Sequence, residues 1–288
     1  MLPAALQSIG NATGAFAGAD YTASARNNQT LSMKSRPPTR PLALALLVAG
    51  CCAVAHADGL GDLRATLARL QGQAPLRASV QARDWRRTGE GKDAKETKGE
   101  ATIGLEDGPR GLQPLYSHEL LARVDAESRA AVKDKAAPKP LTQALGQLGF
   151  NELRTLSSAA PGLQRSIDDA QFKGETPEAW AGKPARKLVF ESSVDSLPED
   201  DRKYVRDFKL VLSIWIGADG TPLASLRHID LSGRAMVVIS FEHHSDERRG
   251  YAVAGDRLVA LTDEESGSSK GAGETQAFRT ERSLQVLP

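Results

Sequence analysis

The spacing of apolar residues changes several times along the chain, and each spacing predicts one type of element. Leucines recur every three or four residues over 60–70, which predicts an amphipathic helix that ends near Gly72. Apolar and polar residues alternate over 76–83 and again over 101–105, as they do in half-buried strands. Turn-forming residues at 107–109 lead into a third strand. This part is therefore predicted to be one helix followed by a small antiparallel sheet.

Helical spacing returns in the middle of the chain. A helix is predicted over 118–135, with Ser117 as its N-cap, and shorter helices follow up to residue 169. We interpret 118–169 as a block of helices inserted into a β-rich fold.

After residue 169 the sequence has the pattern of strands joined by turns. Eight strands are predicted, at 170–176, 185–192, 208–216, 223–230, 235–243, 251–254, 257–262 and 275–286. Asp219-Gly220 and Ser232-Gly233 predict two tight hairpins, and the glycine-rich segment 267–273 predicts a hairpin loop. The predicted fold class is α+β, an antiparallel sheet with an N-terminal helix and an inserted block of short helices.

The later strands are apolar on both faces. The two hairpins place one set of apolar residues on a common face: Phe208, Leu210, Leu212, Ile214, Leu223, Ile229 and Met236. They place a second set on the opposite face: Trp215, Leu226, Val237, Ile239 and Phe241. Such a sheet must be covered on both sides or bind something on one of them, and the helices can cover only one. We therefore interpret the first set as a candidate ligand-binding groove, with ordinary core packing under the helices as the alternative.

The N-terminal part of the chain has the composition of an export leader. Met33 is followed by basic residues, an apolar run over 42–54 and the small-residue cleavage motif Ala55-His56-Ala57. Residues 33–57 are therefore predicted to be a signal peptide, cleaved between Ala57 and Asp58. Residues 1–32, which precede it, are interpreted as a non-native or disordered extension, and 58–288 as a single exported domain.

Both cysteines of the chain, Cys51 and Cys52, lie inside this leader. Cleavage after Ala57 would leave a mature protein without cysteine, so disulfides would not stabilise its fold. The segment 48–51 also resembles the lipobox of bacterial lipoproteins, in which the cysteine is acylated. The predicted location is thus the periplasm, with a membrane-anchored lipoprotein acylated at Cys51 as the alternative.

The charge balance excludes one class of partner. The chain has 37 Lys and Arg against 36 Asp and Glu, a formal net charge of +1. Its basic residues form no stripe interleaved with aromatic residues, so nucleic-acid binding is not expected.

Histidines and acidic residues offer the candidate chemistry. His228 and Asp230 are two apart on one strand and point the same way, a spacing that suits metal ligands or an acid–base pair. The Ser232-Gly233 hairpin would place Val237 and Ala235 opposite them, and neither can add a ligand. We therefore interpret His228 and Asp230 as rim residues.

Other polar groups are also interpreted as structural. His243 and His244 are adjacent on a strand and should face opposite sides of the sheet. The acidic residues 199–201 follow Pro198, as they do at the start of a helix. No metal, cofactor or catalytic residue is predicted, and a hydrolase that uses His228 and Asp230 is the weakest functional hypothesis.

The order of these elements resembles that of the envelope lipoprotein carriers of the LolA, LolB and RseB type. The resemblance lies in an export leader, an opening helix, a few strands, a helical block and a long antiparallel meander, and it covers most of 58–288. It implies a curved, open half-barrel capped by helices, with an apolar face that accepts an acyl chain. We therefore expect a non-enzymatic envelope protein that binds a hydrophobic ligand, lipid or lipoprotein. The alternative is a structural or interaction module whose sheet edge docks an envelope protein.

Overall fold

A computed structural model of the protein describes residues 58–235 and 239–288. The predicted leader, with Cys51 and Ala57, lies outside these residues. Within them the chain forms a single ten-stranded antiparallel sheet, curved and open rather than closed into a barrel, together with six α-helices. The predicted fold class is therefore confirmed.

The strands and helices have the following bounds. The strands are β1 (Leu76–Thr88), β2 (Lys95–Gly108), β3 (Gly111–Leu115), β4 (Gln171–Pro177), β5 (Arg186–Ser193), β6 (Val205–Ile216), β7 (Pro222–Ala235), β8 (Ile239–Ala254), β9 (Arg257–Gly271) and β10 (Glu274–Val286). The helices are α1 (Gly59–Arg69), α2 (His118–Lys133), α3 (Pro140–Leu145), α4 (Phe150–Ser157), α5 (Ala159–Asp168) and α6 (Glu199–Arg202). The strand order is β3-β2-β1-β10-β9-β8-β7-β6-β5-β4, so the last strand joins the first three strands to the rest.

The helices begin and end where short-range chemistry places them. The hydroxyl of Ser117 accepts a hydrogen bond from the Leu120 N–H at 3.1 Å, and this satisfies one of the unpaired donors in the first turn of α2. Pro140 occupies the first turn of α3, where its missing N–H leaves no hydrogen bond unmade. The predicted helical block is thus present between β3 and β4 as α2 to α5.

One face of the sheet packs against helices and forms the main core. We call this the inner face; Phe190 and Ile214 lie on it and share a core with Leu67 of α1 and Leu156 of α4. The helices pack mainly against β1, β2, β9 and β10. The opposite, outer face has a much smaller apolar cluster around Trp215.

The predicted hairpin at Ser232-Gly233 is wrong. Strand β7 continues through both residues to Ala235, which pairs with Ile239, so the connection falls at 236–238, outside the described residues. Gly233 serves close packing instead of a turn. A Cβ there would lie 2.2 Å from the Tyr204 carbonyl oxygen and 2.4 Å from the Phe241 ring. Gly233, which the sequence pattern assigns to a turn, thus lies inside a strand and lets neighbouring atoms pack against the backbone.

Two other predicted boundaries are also corrected. The predicted strands 235–243 and 251–254 belong to one strand, β8, and residues 267–271 of the predicted glycine-rich loop belong to β9. The turn that follows β9 is at Ala272 and Gly273, both with positive φ. The sequence pattern divides β8 and shortens β9 because charged residues occupy inner-face positions in the middle of each strand. A half-buried strand normally carries apolar residues at such positions.

Gly99 marks a close contact between helix α3 and strand β2. A Cβ on Gly99 would lie 1.9 Å from the carbonyl oxygen of Pro140, so Gly99→Ala must push the helix away from the sheet. We expect a loss of about 1–3 kcal/mol in the free energy of unfolding, measured by urea denaturation.

Gly162→Ala is the matched control for this substitution. Apart from its chain neighbours and the backbone of its own helix, no atom lies within 4 Å of the Cβ that it would add inside α5. Alanine is also the better helix former, so this variant should gain about 0.5–1 kcal/mol. A Gly99→Ala variant as stable as the wild type would contradict the packing described.

Candidate functional site

The seven residues of the predicted groove do not all lie on one face. Five of them, Phe208, Leu210, Leu212, Ile214 and Ile229, share the inner face, where Leu210 pairs with Ile229 across β6 and β7. Leu223 differs from the prediction in position.

Leu223 packs on the outer face beside Trp215, because the register shifts where β6 meets the start of β7. The Trp215 ring lies 4.6 Å from the Trp180 ring, and its Nε1–H donates to Glu178 at 3.0 Å. Met236 lies outside the described residues.

The five inner-face residues have two different environments. Leu212 and Ile214 are buried in the main core together with the helices, and Ile229 is also buried, at 8% exposed. Phe208 and Leu210 are only partly buried. One end of the predicted groove, at Leu212 and Ile214, is therefore ordinary core, which was the alternative interpretation. The other end, at Phe208 and Leu210, is a partly exposed apolar surface.

Aromatic residues continue this apolar surface across the sheet, one of them buried (Phe241, 6% exposed) and one partly buried (Phe278). Phe241, predicted on the opposite face, lies on the inner face because the turn comes later than Ser232-Gly233. Phe278 on β10 is partly buried and stacks on the His243 ring at 6.1 Å. We call Phe208, Leu210, Ile229, Phe241 and Phe278 the distal strip. It crosses the inner face from β6 to β10.

His243 and Gly267 show how tightly this part of the sheet is packed. Burial lowers the pKa of His243, so its ring stays neutral against Phe278. A Cβ on Gly267 would lie 2.9 Å from the Phe278 ring, and the glycine therefore makes room for it.

On β7 to β10, a row of buried and partly buried charged side chains lies between the distal strip and the helix-covered core, whereas on β6 Leu210 packs directly against that core. Arg227 pairs with Glu247 at 2.9 Å, and Arg282 pairs with Asp263 at 3.1 Å. Arg249 lies between these pairs and contacts both carboxylates, Glu247 closely and Asp263 at 3.5 Å. We call these five residues the inner-face ion network. It connects β7, β8, β9 and β10, and it had no counterpart in the sequence analysis.

Burial and neighbouring charge shift the ionisation of this region. Burial opposes the charge of Arg249, but the carboxylates of Glu247 and Asp263 outweigh it and raise the pKa of the guanidinium. Burial, followed by the Glu247 carboxylate, raises the pKa of the nearby Glu265. The Tyr251 hydroxyl hydrogen-bonds to Ser225 at 2.8 Å, and burial raises the pKa of Tyr251. The network therefore places fixed charge between two apolar regions.

A second group of polar residues lies together on the outer face, although the predicted strand pairing places them apart. His228 pairs with Asp246 and Asp230 pairs with His244 across β7 and β8. The prediction that Val237 and Ala235 lie opposite His228 and Asp230 is therefore wrong, and its cause is the misplaced hairpin. We call His228, Asp230, His244 and Asp246 the outer-face cluster.

Each imidazole of the outer-face cluster faces both carboxylates. His228 contacts Asp246 through Nδ1 and Asp230 through Nε2, both at 2.8 Å. His244 contacts Asp230 through Nδ1 at 2.7 Å and Asp246 through Nε2 at 3.5 Å. The hydrogen bond to Asp246 raises the pKa of His228, and the hydrogen bonds from His244 and His228 lower the pKa of Asp230.

The surface has one further feature near the groove residues. A depression of about 380 Å³ is lined by 193–195, 206–209 and Asp230, and it touches only Phe208 among the seven predicted groove residues. The acidic residues 199–201 lie nearby and begin α6 after Pro198, as the sequence indicated.

Comparison with protein-family models, with curated proteins and with solved structures finds no match to this chain. Among the described residues, no helix is long and apolar enough to cross a membrane. The two faces of the sheet are therefore the basis for a functional assignment.

Proposed function

We propose that this protein is a non-enzymatic, exported envelope protein that binds a hydrophobic ligand, a lipid or the acyl chain of a lipoprotein, on the inner face of its open sheet. The observation that carries the proposal is the distal strip. Phe208, Leu210 and Phe278 are apolar and only partly buried, whereas Ile229 and Phe241, on the strands between them, are buried. Apolar surface left open on a curved sheet is the usual composition of a site for an apolar ligand.

The size of the strip supports an extended ligand. Neighbouring strands lie roughly 4.8 Å apart, so the four spacings from β6 to β10 amount to about 19 Å. A chain of methylene groups lying across the strands would be stabilised by about 0.8 kcal/mol for each CH₂ that it buries. On β7 to β10 the inner-face ion network lies between the strip and the core, and there it would keep such a ligand from entering between sheet and helices.

Substitutions in the strip should weaken binding without unfolding the protein. We expect Leu210→Ser and Phe278→Ser each to reduce the affinity for a fluorescent fatty acid about tenfold, since each removes roughly 1.5–3 kcal/mol of apolar burial. Titration of the purified full-length variants measures the change, and urea denaturation checks that each is folded.

Val253→Ser is the matched control, because Val253 is 48% exposed but lies at the end of β8, outside the strip. This variant should keep the wild-type affinity. Leu212→Ser should instead destabilise the fold, because Leu212 lies in the main core. The proposal fails if the wild type does not bind the probe or if Val253→Ser weakens binding as much as Leu210→Ser.

A further inference from the structure

The outer-face cluster consists of two copies of one short sequence pattern. His228-Ile229-Asp230 and His244-Ser245-Asp246 each place a histidine and an aspartate two residues apart, so both side chains of each pair point to the same face. The strands run antiparallel, which sets each histidine opposite the aspartate of the other pair. Four polar groups therefore converge on a surface whose neighbours in the sheet are also polar or partly exposed.

We propose that the outer-face cluster is a binding site for a divalent transition-metal ion of the Zn²⁺ type. His228, His244 and Asp246 each offer a ligand atom, and these atoms lie within 4.8 Å of one another. Zinc bonds of 2.0–2.1 Å in tetrahedral geometry require ligand atoms about 3.3 Å apart. The side chains are 33%, 47% and 47% exposed, so they can rotate inward by the remaining distance.

The hydrogen bonds assign a role to each member of the cluster. The nitrogens that face Asp246 are Nδ1 of His228, at 2.8 Å, and Nε2 of His244, at 3.5 Å. These two nitrogens and the Asp246 carboxylate form the ligand set. The remaining nitrogens, Nε2 of His228 and Nδ1 of His244, both face Asp230, at 2.8 Å and 2.7 Å. Asp230 is thus the positioning residue that accepts an N–H from each imidazole and fixes the tautomer that leaves the other nitrogen free to bind the ion.

Ligand type and charge select the class of ion. Imidazole nitrogen suits zinc, copper and nickel, whereas calcium and magnesium require a shell of six or more oxygen atoms. Two carboxylates balance the charge of a divalent ion. Lys209 of β6 pairs with Asp230, and Arg248 of β8 lies two residues from Asp246 on the same face, so the two carboxylates face cations on both sides of the cluster.

Calorimetry with ZnCl₂ alone tests the site. The full-length protein, purified without a histidine tag and stripped of metal with a chelator, should bind one equivalent of Zn²⁺ at pH 7.5. His228→Ala, His244→Ala and Asp246→Ala should each lower the affinity by more than tenfold. Asp230→Ala should lower it by about tenfold, because it removes only the hydrogen bonds that orient the imidazoles.

His118→Ala is the matched control, since His118 is an exposed histidine at the start of α2, far along the chain from the cluster. It should bind Zn²⁺ as the wild type does. Circular dichroism confirms that each variant is folded. The proposal is overturned if the wild type binds no stoichiometric Zn²⁺, if the His228→Ala and His244→Ala variants retain wild-type affinity, or if Ca²⁺ and Mg²⁺ compete equally well. The site lies on the opposite face from the distal strip, so its test is independent of the proposed ligand binding.

Discussion

Asp263→Ala is expected to lower the free energy of unfolding by about 3–5 kcal/mol. The Asp263 side chain is 3% exposed and lies between two guanidinium groups, Arg282 at 3.1 Å and Arg249 at 3.5 Å. Removing the carboxylate takes this partner from Arg282, which is 7% exposed, and from Arg249, which is 23% exposed, and breaking a buried pair costs far more than the pair itself contributes. Equilibrium denaturation in urea at neutral pH measures the loss.

An exposed ion pair on the neighbouring strand provides the control. Arg279 and Glu281 of β10 lie 2.8 Å apart, with side chains 59% and 38% exposed. Glu281→Ala should change the stability by less than about 1 kcal/mol, because water screens that pair. Equal losses for Asp263→Ala and Glu281→Ala would show that the inner-face ion network is not buried in solution.

Phe190→Ala should lower the free energy of unfolding by about 3–5 kcal/mol. Phe190 is 0% exposed and is the largest fully buried side chain among the described residues. It lies on β5 in the main core, and its ring is 5.3 Å from that of Phe172. Truncation removes a large buried apolar surface and leaves a cavity that the surrounding strands and helices can fill only in part.

Urea denaturation also measures this loss, with Phe150→Ala as the reference. Phe150 begins α4 and is 60% exposed, so its truncation should change stability by only about 0.5 kcal/mol. A loss below about 1 kcal/mol for Phe190→Ala would contradict the position of the core.

The fold class could be predicted because it depends on local patterns. Leucine spacing and the Ser117 cap mark the helices, and the alternation of apolar and polar residues marks most strands. These signals need only residues that are near one another in sequence. The inserted helical block between β3 and β4 follows directly from them.

The site was harder to predict because it depends on strand register. The histidine and aspartate spacings of the outer-face cluster are visible in the sequence, but whether they meet is decided by the turn between β7 and β8. Gly233 resembles a turn residue, yet it allows Tyr204 and Phe241 to approach the strand. A misplaced turn changes every cross-strand partner, which is why His228 was paired with Val237 instead of Asp246.

The inner-face ion network was missed for a different physical reason. A charged residue in a sequence pattern indicates an exposed position, so a predicted strand ends where charges accumulate. In β8 and β9 the charges are buried because they neutralise one another across the sheet: Glu247 with Arg227 and Arg249, and Asp263 with Arg282. Only the three-dimensional pairing shows that these positions are inside.

The position of β10 in the middle of the sheet determines when the protein can fold. This strand, Glu274–Val286, pairs with β1 on one side and β9 on the other, so without it the sheet consists of separate groups of three and six strands. A chain synthesised from its N-terminus cannot form these contacts until its last residues are available. Completion of the sheet is therefore coupled to completion of the chain, because the strand that joins its two groups is the last one synthesised.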